Sequence, residues 1–566
     1  MSLTNYYRQV AACIASHQFE QLRDLPLTKP DRFNWVTDVF EAIHTQDRPN
    51  QTALIWTDGH KESRYSFADI TQQSNQLLNF WRQEGVQPGE PIFLQLPLLP
   101  ENWLAYVAAI KGGQVVIPAA TILGISDIVF RFDKLLPRVV MADADNAAKI
   151  DEAERQLGRT IPLKLVVGGQ RDGWHSFDEV SNQSSIAEAA DTRPDDPLFL
   201  FFTSGTTGMP KVVTHTHISY PLGHLTTASW VGLRPGDIHY NIAQPGWAKY
   251  AWSSFFAAWS IGATVFAFNQ PGRFNAKGQL DMLEKYQVTT FCAPPTALRM
   301  LILEELKQYT FQLRECVAAG EPLNPEIIEA WQTGTGVTIR DGYGQTESTA
   351  LVANLPGAPL KFGSMGHPTF LYDIVIANEE GRPLPDNEEG HITVRTDTDR
   401  PNGIFTDYFG DPDKKNDVFK HGLYYTGDKA YRDTDGYIWF VGRDDDVIKA
   451  SDYRVGPFEV ESVLIEHEAV VESAVVGSPH QIRGFLVKAF IILHPDYKPS
   501  EALARAIHSY ARHHLAPYKV PRLIEFVDEL PKTISGKIRR VELRAGEAMR
   551  KAHHEQSDRE FRFGFD

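Results

Sequence analysis

Thr203-Ser204-Gly205-Thr206-Thr207-Gly208-Met209-Pro210-Lys211 gathers four hydroxyls, two glycines and a lysine within nine residues. The apolar run Pro197 to Phe202 stands directly before it and reads as a buried strand. Val212 to His217, immediately after it, are β-branched and alternating, so the loop is expected to join two strands. Such a composition suits a phosphate cradle. Gly205 and Gly208 let backbone N–H groups converge on an anion, and Thr203, Ser204, Thr206 and Thr207 donate to phosphate oxygens, with Lys211 adding a point charge. The loop is not of the Walker type, because its lysine lacks the Gly-Lys-Ser/Thr ending and the residues after that lysine are not helical in pattern. The competing reading is a Ser/Thr/Gly-rich surface turn; the buried strand before it and the lysine after it count against that.

A chain of 566 residues is too long for one core, so two or more domains are expected. Its 42% apolar and 23% charged content is that of an ordinary soluble globular protein. The formal charge of −16 argues against a general affinity for nucleic acid or anionic membrane, which leaves phosphate binding to local sites. Cys13, Cys292 and Cys316 are far apart and odd in number, which fits free thiols in a reducing compartment and no metal cluster. No apolar run approaches the ~18 residues of a membrane span. Met1 to Asp24 lacks both the apolar core of a signal peptide and the arginines of a transit peptide, so the cytoplasm is the expected compartment.

Residues 1–30 read as an amphipathic helical clasp. From about Phe33, helical stretches (Phe67 to Glu84, Glu101 to Lys111) alternate with apolar runs (Pro91 to Gln95, Val115 to Pro118), and the alternation continues to about Ala319. That predicts an α/β domain of largely parallel sheets with ligands beyond the strand ends. After about Leu371, short strands separated by Gly, Pro and Asp predict a β-rich subdomain reaching residue 444. Beyond the charged run Gly442-Arg443-Asp444-Asp445-Asp446, a helix–strand–strand–helix–strand pattern predicts a small α+β domain over 445–566. The tail from Ala545 is charged and reads as frayed, apart from Phe561, Phe563 and Phe565.

Three further stretches carry chemistry. Asp341-Gly342-Tyr343-Gly344-Gln345-Thr346-Glu347 is expected just beyond a strand Val337 to Arg340. A ring between glycines can lie against a base, and a hydroxyl beside a carboxylate can hold a phosphate oxygen and a divalent cation. In Tyr425-Thr426-Gly427-Asp428 the carboxylate suits ribose hydroxyls. In Pro531-Lys532-Thr533-Ile534-Ser535-Gly536-Lys537 a lysine stands behind a flexible Ser-Gly. Taken singly these are an ordinary turn, a cap and a solvated charge.

In this order and at these separations the four stretches resemble the adenylate-forming (AMP-binding) superfamily of acyl- and aryl-CoA synthetases, peptide-synthetase adenylation domains and firefly-type luciferases. The resemblance runs from about Phe33 to Arg544 and is strongest to medium-chain acyl-CoA synthetases, through Phe33-Asn34-Trp35, Tyr453-Arg454-Val455-Gly456-Pro457 and Lys532 to Lys537. It implies an ATP-dependent, AMP-forming acyl-CoA ligase acting on a carboxylic acid, with ATP, Mg²⁺ and CoA as cofactor and co-substrates. The Thr203–Lys211 loop would hold the β- and γ-phosphates, Thr346 the α-phosphate, and Glu347 the Mg²⁺. Tyr343 would stack on adenine against the Gly320-Glu321-Pro322 backbone, within a site that includes Asp341, Gly342 and Gln345. Asp428 and Arg443 would hold the ribose. Lys537 would bridge carboxylate and α-phosphate, then swing away as the small domain turns about a hinge at Asp445. That turn would bring Lys449 to Gly456, Arg454 included, to the thiol path.

One residue departs from the family pattern: Asp452 stands where most relatives carry glycine, which adds bulk and negative charge near a polyanionic ligand. Gly344 stands where acetate-specific relatives carry tryptophan, and with an apolar wall of Trp247, Tyr250 and Trp252 it implies a medium-chain, short branched or aryl acid. His215 and His217 lie at strand spacing, a candidate metal pair, although without a third ligand the better reading is packed or hydrogen-bonded rings. The same residues would also serve an enzyme that passes its adenylate to a carrier protein, or a non-catalytic AMP or acyl binder; retention of Lys537 and Glu347 counts against the latter.

Overall fold

The structure is a computed structural model that describes residues 1–203, 210–321, 323–398, 400–450, 453–480, 484–533, 537–553 and 555–564. Ser204, Gly205, Thr206, Thr207, Gly208, Pro322, Asp452, Ser535, Gly536 and Phe565 therefore lie outside the described residues.

The apolar runs of the first part of the chain become strands buried on both faces, as parallel strands must be when helices cover both sides. A nine-stranded sheet has a parallel centre in the order Ile339–Gly344, Glu315–Ala318, Thr290–Ala293, Ile238–Asn241, Thr264–Phe268, Thr52–Thr57. An eight-stranded sheet is parallel from Val115–Pro118 outward and carries on its other side an antiparallel hairpin, Pro197–Thr203 with Lys211–Thr216, edged by the short strand Asp407–Tyr408. Its register sets Thr203 opposite Lys211, so the phosphate-type loop does join two strands. Helix Leu3–Ala15 clasps this body through the fully buried Tyr6 and Tyr7.

Two strands run further than the pattern alone indicated. Ile339–Gly344 extends through the glycine-rich motif instead of stopping at Arg340, because Gly342 and Tyr343 pair with Ala353 and Val352. In the five-stranded antiparallel sheet, Leu423–Arg432 is a continuous strand that runs through Thr426-Gly427-Asp428. Gly427 takes φ +79°, a left-handed conformation that glycine adopts without strain. The apparent turn is thus a kink inside a strand.

The small lobe is built on a six-stranded sheet, with Pro457–Ile465 and Glu501–His514 packed on it. Its tail is not frayed. Helix Arg540–Ala552 and strand Glu560–Arg562 close the lobe, the strand pairing antiparallel with Leu523–Phe526. The cause is Lys488, whose fully buried ammonium meets Glu525 at 2.7 Å, Glu547 at 2.6 Å and Glu560 at 2.5 Å. A buried charge is tolerated only when paired and hydrogen-bonded, and two of the three carboxylates come from the tail. Arg550 and Lys551 balance the remaining charge. Burial opposes ionisation of Glu525 and Glu547, but hydrogen bonds from Arg550 and Lys488 to Glu525, and from Lys488 and Ser478 to Glu547, outweigh it and hold both below the ordinary glutamate range.

Lys488→Met strands these carboxylates and is expected to destabilise the small lobe by about 3–5 kcal/mol in urea denaturation at neutral pH. In the native protein the stabilisation is complete at neutral pH and fades as pH falls below about 4, through the depressed carboxylate pKa values. A variant within about 0.5 kcal/mol of the parent would show that the cluster does not hold the lobe.

Candidate active site

The hairpin and the glycine-rich strand meet at Lys211 and Glu347. Strand Asp407–Tyr408 pairs with Lys211–Thr216 and brings a tyrosine between them. The Tyr408 hydroxyl donates to Glu347 Oε1 at 3.0 Å, while the Lys211 ammonium lies over its ring, 5.2 Å from the centroid. The Phe405 N–H donates to the Glu347 carbonyl at 2.9 Å, so the residue is fixed at both ends. Burial lowers the Lys211 pKa, opposed by Glu347. Burial also raises the Tyr408 pKa, reinforced by the Glu347 charge, which keeps the hydroxyl a donor.

His215 is used differently from a metal ligand. Its Nε2 donates to the Thr346 carbonyl at 2.7 Å and its Nδ1 faces Ser219 Oγ at 3.2 Å. Burial takes its pKa down to about 3, opposed by the Thr346 carbonyl, so the ring is neutral and holds the backbone of the expected α-phosphate residue. His217 is buried, and among the described residues neither ring joins a group of three close metal-type ligands.

Asp428 ties the second half of the site together. Tyr343 Oη donates to its Oδ2 at 2.5 Å, and Gln345 Nε2 donates to the same oxygen at 2.7 Å. Tyr424 Oη donates to Gln345 Oε1 at 2.9 Å, which fixes the amide orientation. Strand register places Arg443 opposite Asp428. Burial raises the Asp428 pKa, while Arg443, the Tyr343 hydroxyl and Lys537 pull it back. Asp341 is buried on the same strand as Tyr343, and its Oδ1 accepts the Gly342 N–H at 2.9 Å. Gly320, at φ +102°, allows the chain after Glu315–Ala318 to turn along the same sheet end; Glu321 next to it accepts from Thr296 Oγ1 at 2.7 Å.

Lys537 reaches this cleft from the small lobe. Its side chain remains open to solvent, yet the surrounding protein lowers its pKa, opposed by Glu321 and Asp428. Arg443 and Lys249 are the other cations within range. The small lobe approaches closely at Gly456, where an added Cβ would lie 2.2 Å from the Val441 carbonyl oxygen. Asp445 lies in the turn between Ile438–Arg443 and Ile448–Ala450 and pairs with Arg443 at 3.5 Å. Arg454 is not gathered with these groups: it is exposed, and its charge is felt at Glu389.

The apolar wall divides. Tyr250 is core, packed edge-on against Trp103 and Tyr106, whereas Trp247 is half-buried against the separate core beneath the eight-stranded sheet. Gly344 is required by its neighbours, since a Cβ there would lie 2.0 Å from the Thr349 carbonyl oxygen and 2.7 Å from Trp252 Cη2. The edge of Trp252 and the Thr349 backbone therefore lie directly against this glycine.

Sequence reading missed Tyr408, Tyr424 and the backbone role of His215. Each depends on strand pairing far along the chain, and the only local signal was an aromatic residue in a short polar stretch. A carboxylate anchored through one oxygen, beside a lysine and a phosphate-type loop, fits Mg²⁺, which uses one or two carboxylates and completes its shell with phosphates and water. Tyr408→Phe keeps the ring under Lys211 but releases Glu347, and is expected to raise the Kd for Mg·ATP about threefold to tenfold in calorimetry. Tyr408→Leu should raise it further; unchanged binding in both would show that Tyr408 only fills space.

Residues 42–409 match the AMP-binding enzyme family and residues 459–537 match the AMP-binding enzyme C-terminal domain. The chain is 49% identical over 536 residues to 4-hydroxybutyrate–CoA ligase 1 of Metallosphaera sedula, with 94% of each covered. It is 42% identical over 535 residues to the mitochondrial acyl-coenzyme A synthetase ACSM3 of Rattus norvegicus, covering 93% of this chain and 92% of the relative. Its fold superposes on the anthranilate CoA ligase AuaEII in complex with anthranoyl-AMP with a TM-score of 0.84 at 33% identity, covering 94% of this chain and 99% of the other. By sequence over nearly its whole length and by fold, the chain belongs to the AMP-binding enzymes and, among them, to the acyl-CoA synthetase family.

Proposed function

We propose that this chain converts a short or aryl carboxylic acid to its CoA thioester through an acyl-adenylate, releasing pyrophosphate and then AMP. The observation that carries this reading is the cleft itself: Lys211 and Arg443 from the large lobe and Lys537 from the small lobe converge near Glu347 and Asp428. A carboxylate is a poor acyl donor, and exchanging one of its oxygens for AMP makes it a good one. Positioning and charge neutralisation supply most of the catalysis in such a displacement.

On this reading Lys211, with the Thr203–Gly208 loop, steadies the β- and γ-phosphates, and Thr346 stands at the α-phosphate. Tyr343 offers its ring to adenine while Asp428 and Arg443 take the ribose. Bound Mg²⁺ would supply charge neutralisation between phosphates, held through Glu347. Lys537 lies between acid and α-phosphate, where negative charge accumulates. For the second step the region 445–566 turns about Asp445 against 1–444, withdrawing Lys537 and bringing Arg454 towards CoA. Among the relatives, one acts on 4-hydroxybutyrate and one on anthranilate, which supports a short or aryl acid over a long chain. No helix among the described residues is long and apolar enough to cross a membrane. The three free, buried cysteines support a reducing compartment, the cytoplasm on this reading.

Lys537→Ala is expected to abolish adenylate formation while CoA still consumes acyl-adenylate supplied ready-made, measured by thioester yield. Equal loss of both half-reactions would refute separate poses of the lobe. Because the Lys537 pKa is lowered and the ammonium form is needed, adenylation by the native enzyme should decline as pH rises, at a pH below the free-lysine value of about 10.4. Lys537→Arg should lose that alkaline limb.

A further inference from the structure

Three arginines line one small cavity that shares no residue with the cleft. The cavity holds about 120 Å³ and lies between the short helix Phe19–Asp24, the residues just before strand Ile374–Ala377, and the segment that follows strand Gly390–Arg395. Its charged walls are Arg23, Asp373, Arg395 and Arg400. Arg395 is matched, since its Nε pairs with Asp373 at 3.1 Å and its Nη1 with Asp397 at 3.8 Å. The other two have only carbonyl partners. Arg23 Nη2 donates to the Tyr372 carbonyl at 2.9 Å and Arg400 Nη1 to the Arg23 carbonyl at 2.6 Å. Among the described residues no carboxylate lies within ion-pair distance of either guanidinium.

A guanidinium grips an oxyanion best through its Nε–Nη edge, whose two N–H groups run parallel and match two oxygens of one anion. In Arg400 that edge is the unused one: Nε and Nη2 are shut off from water and meet no acceptor among the described residues. The Tyr6 hydroxyl, on helix Leu3–Ala15, is fully buried and finds no acceptor either. Burial pushes the Tyr6 pKa up to about 12, opposed by the Arg400 guanidinium beside it, so the hydroxyl keeps its proton. Buried donors without acceptors are costly, and two cations without a counter-ion add to the cost. The arrangement lacks a charged acceptor. A cavity of about 120 Å³ is roughly four times the share of one liquid water, which admits one tetrahedral oxyanion and no nucleotide. Two unmatched cations call for about two negative charges, which phosphate carries near neutral pH and a monocarboxylate does not.

We propose that Arg23 and Arg400 form a phosphate site apart from the ATP cleft, which takes a free inorganic phosphate ion. On binding, the Nε–Nη2 edge of Arg400 turns to two of its oxygens and Arg23 meets a third. The ion then joins the N-terminal clasp to the segment from Arg400 to Tyr408, whose far end holds Glu347 through the Phe405 N–H and the Tyr408 hydroxyl. The site does not depend on which acid the enzyme activates.

The test is calorimetry of the full chain with inorganic phosphate, its ATP cleft filled with Mg²⁺ and α,β-methylene-ATP, which cannot be cleaved at the reacting bond. One phosphate per chain is expected to bind. Arg23 is exposed, so Arg23→Gln spares the core, and it should raise the Kd at least about tenfold. Arg400→Gln should raise it further, and Tyr6→Phe, which keeps the ring, should raise it less. Circular dichroism checks each fold; if Arg400→Gln unfolds, Arg23→Gln decides alone. Glycerol 3-phosphate and acetate are the comparison ligands, both expected to bind more weakly than phosphate. No phosphate bound with the cleft filled, or an unchanged Kd in Arg23→Gln, overturns the site. Tighter binding of glycerol 3-phosphate overturns the choice of the free ion, and tighter binding of acetate the choice of phosphate.

Discussion

A single buried carboxylate organises the cleft. Asp428 stands on the antiparallel sheet opposite Arg443 of the adjoining strand, and its other partners come from elsewhere: Tyr343 and Gln345 from the end of the nine-stranded sheet, Lys537 from the small lobe. Removing such a charge from water is unfavourable on its own, and the surrounding donors make it tolerable. The three regions are therefore linked through one group. The left-handed Gly427 lets the strand carry Asp428 into that position.

Two further local arrangements shape the lobes around it. Tyr408 binds Glu347 by its hydroxyl and Lys211 by its ring, which separates two opposite charges that would otherwise pair directly. The small lobe keeps its own integrity through the Lys488 cluster, so it can act as a unit. Its approach to the large lobe at Gly456 leaves no room for a side chain against Val441.

Much of this was legible in the chain. Strands such as Pro91–Gln95 and Val115–Pro118 and the helix from Phe67 emerge at the expected places because apolar periodicity reports burial directly. The hairpin around Thr203 and Lys211 is announced by the β-branched residues after the loop. Local pattern could not show pairing over long separations. Gly427 looks like a turn until its strand neighbours are known, and Glu547 and Glu560 look like tail charges until Lys488 is found between them. Gly344 reads as an open pocket from its missing side chain, whereas the edge of Trp252, far back in the sequence, lies directly against it.

The central claim is that the acid leaves as an AMP ester before any thiol takes part. Incorporation of labelled pyrophosphate into ATP, measured without CoA across a panel of short hydroxy, alkanoic and aryl acids, tests it most directly. The account predicts label in ATP only when an acceptable acid is present. Thioester formation from an acid that supports no such exchange would contradict it.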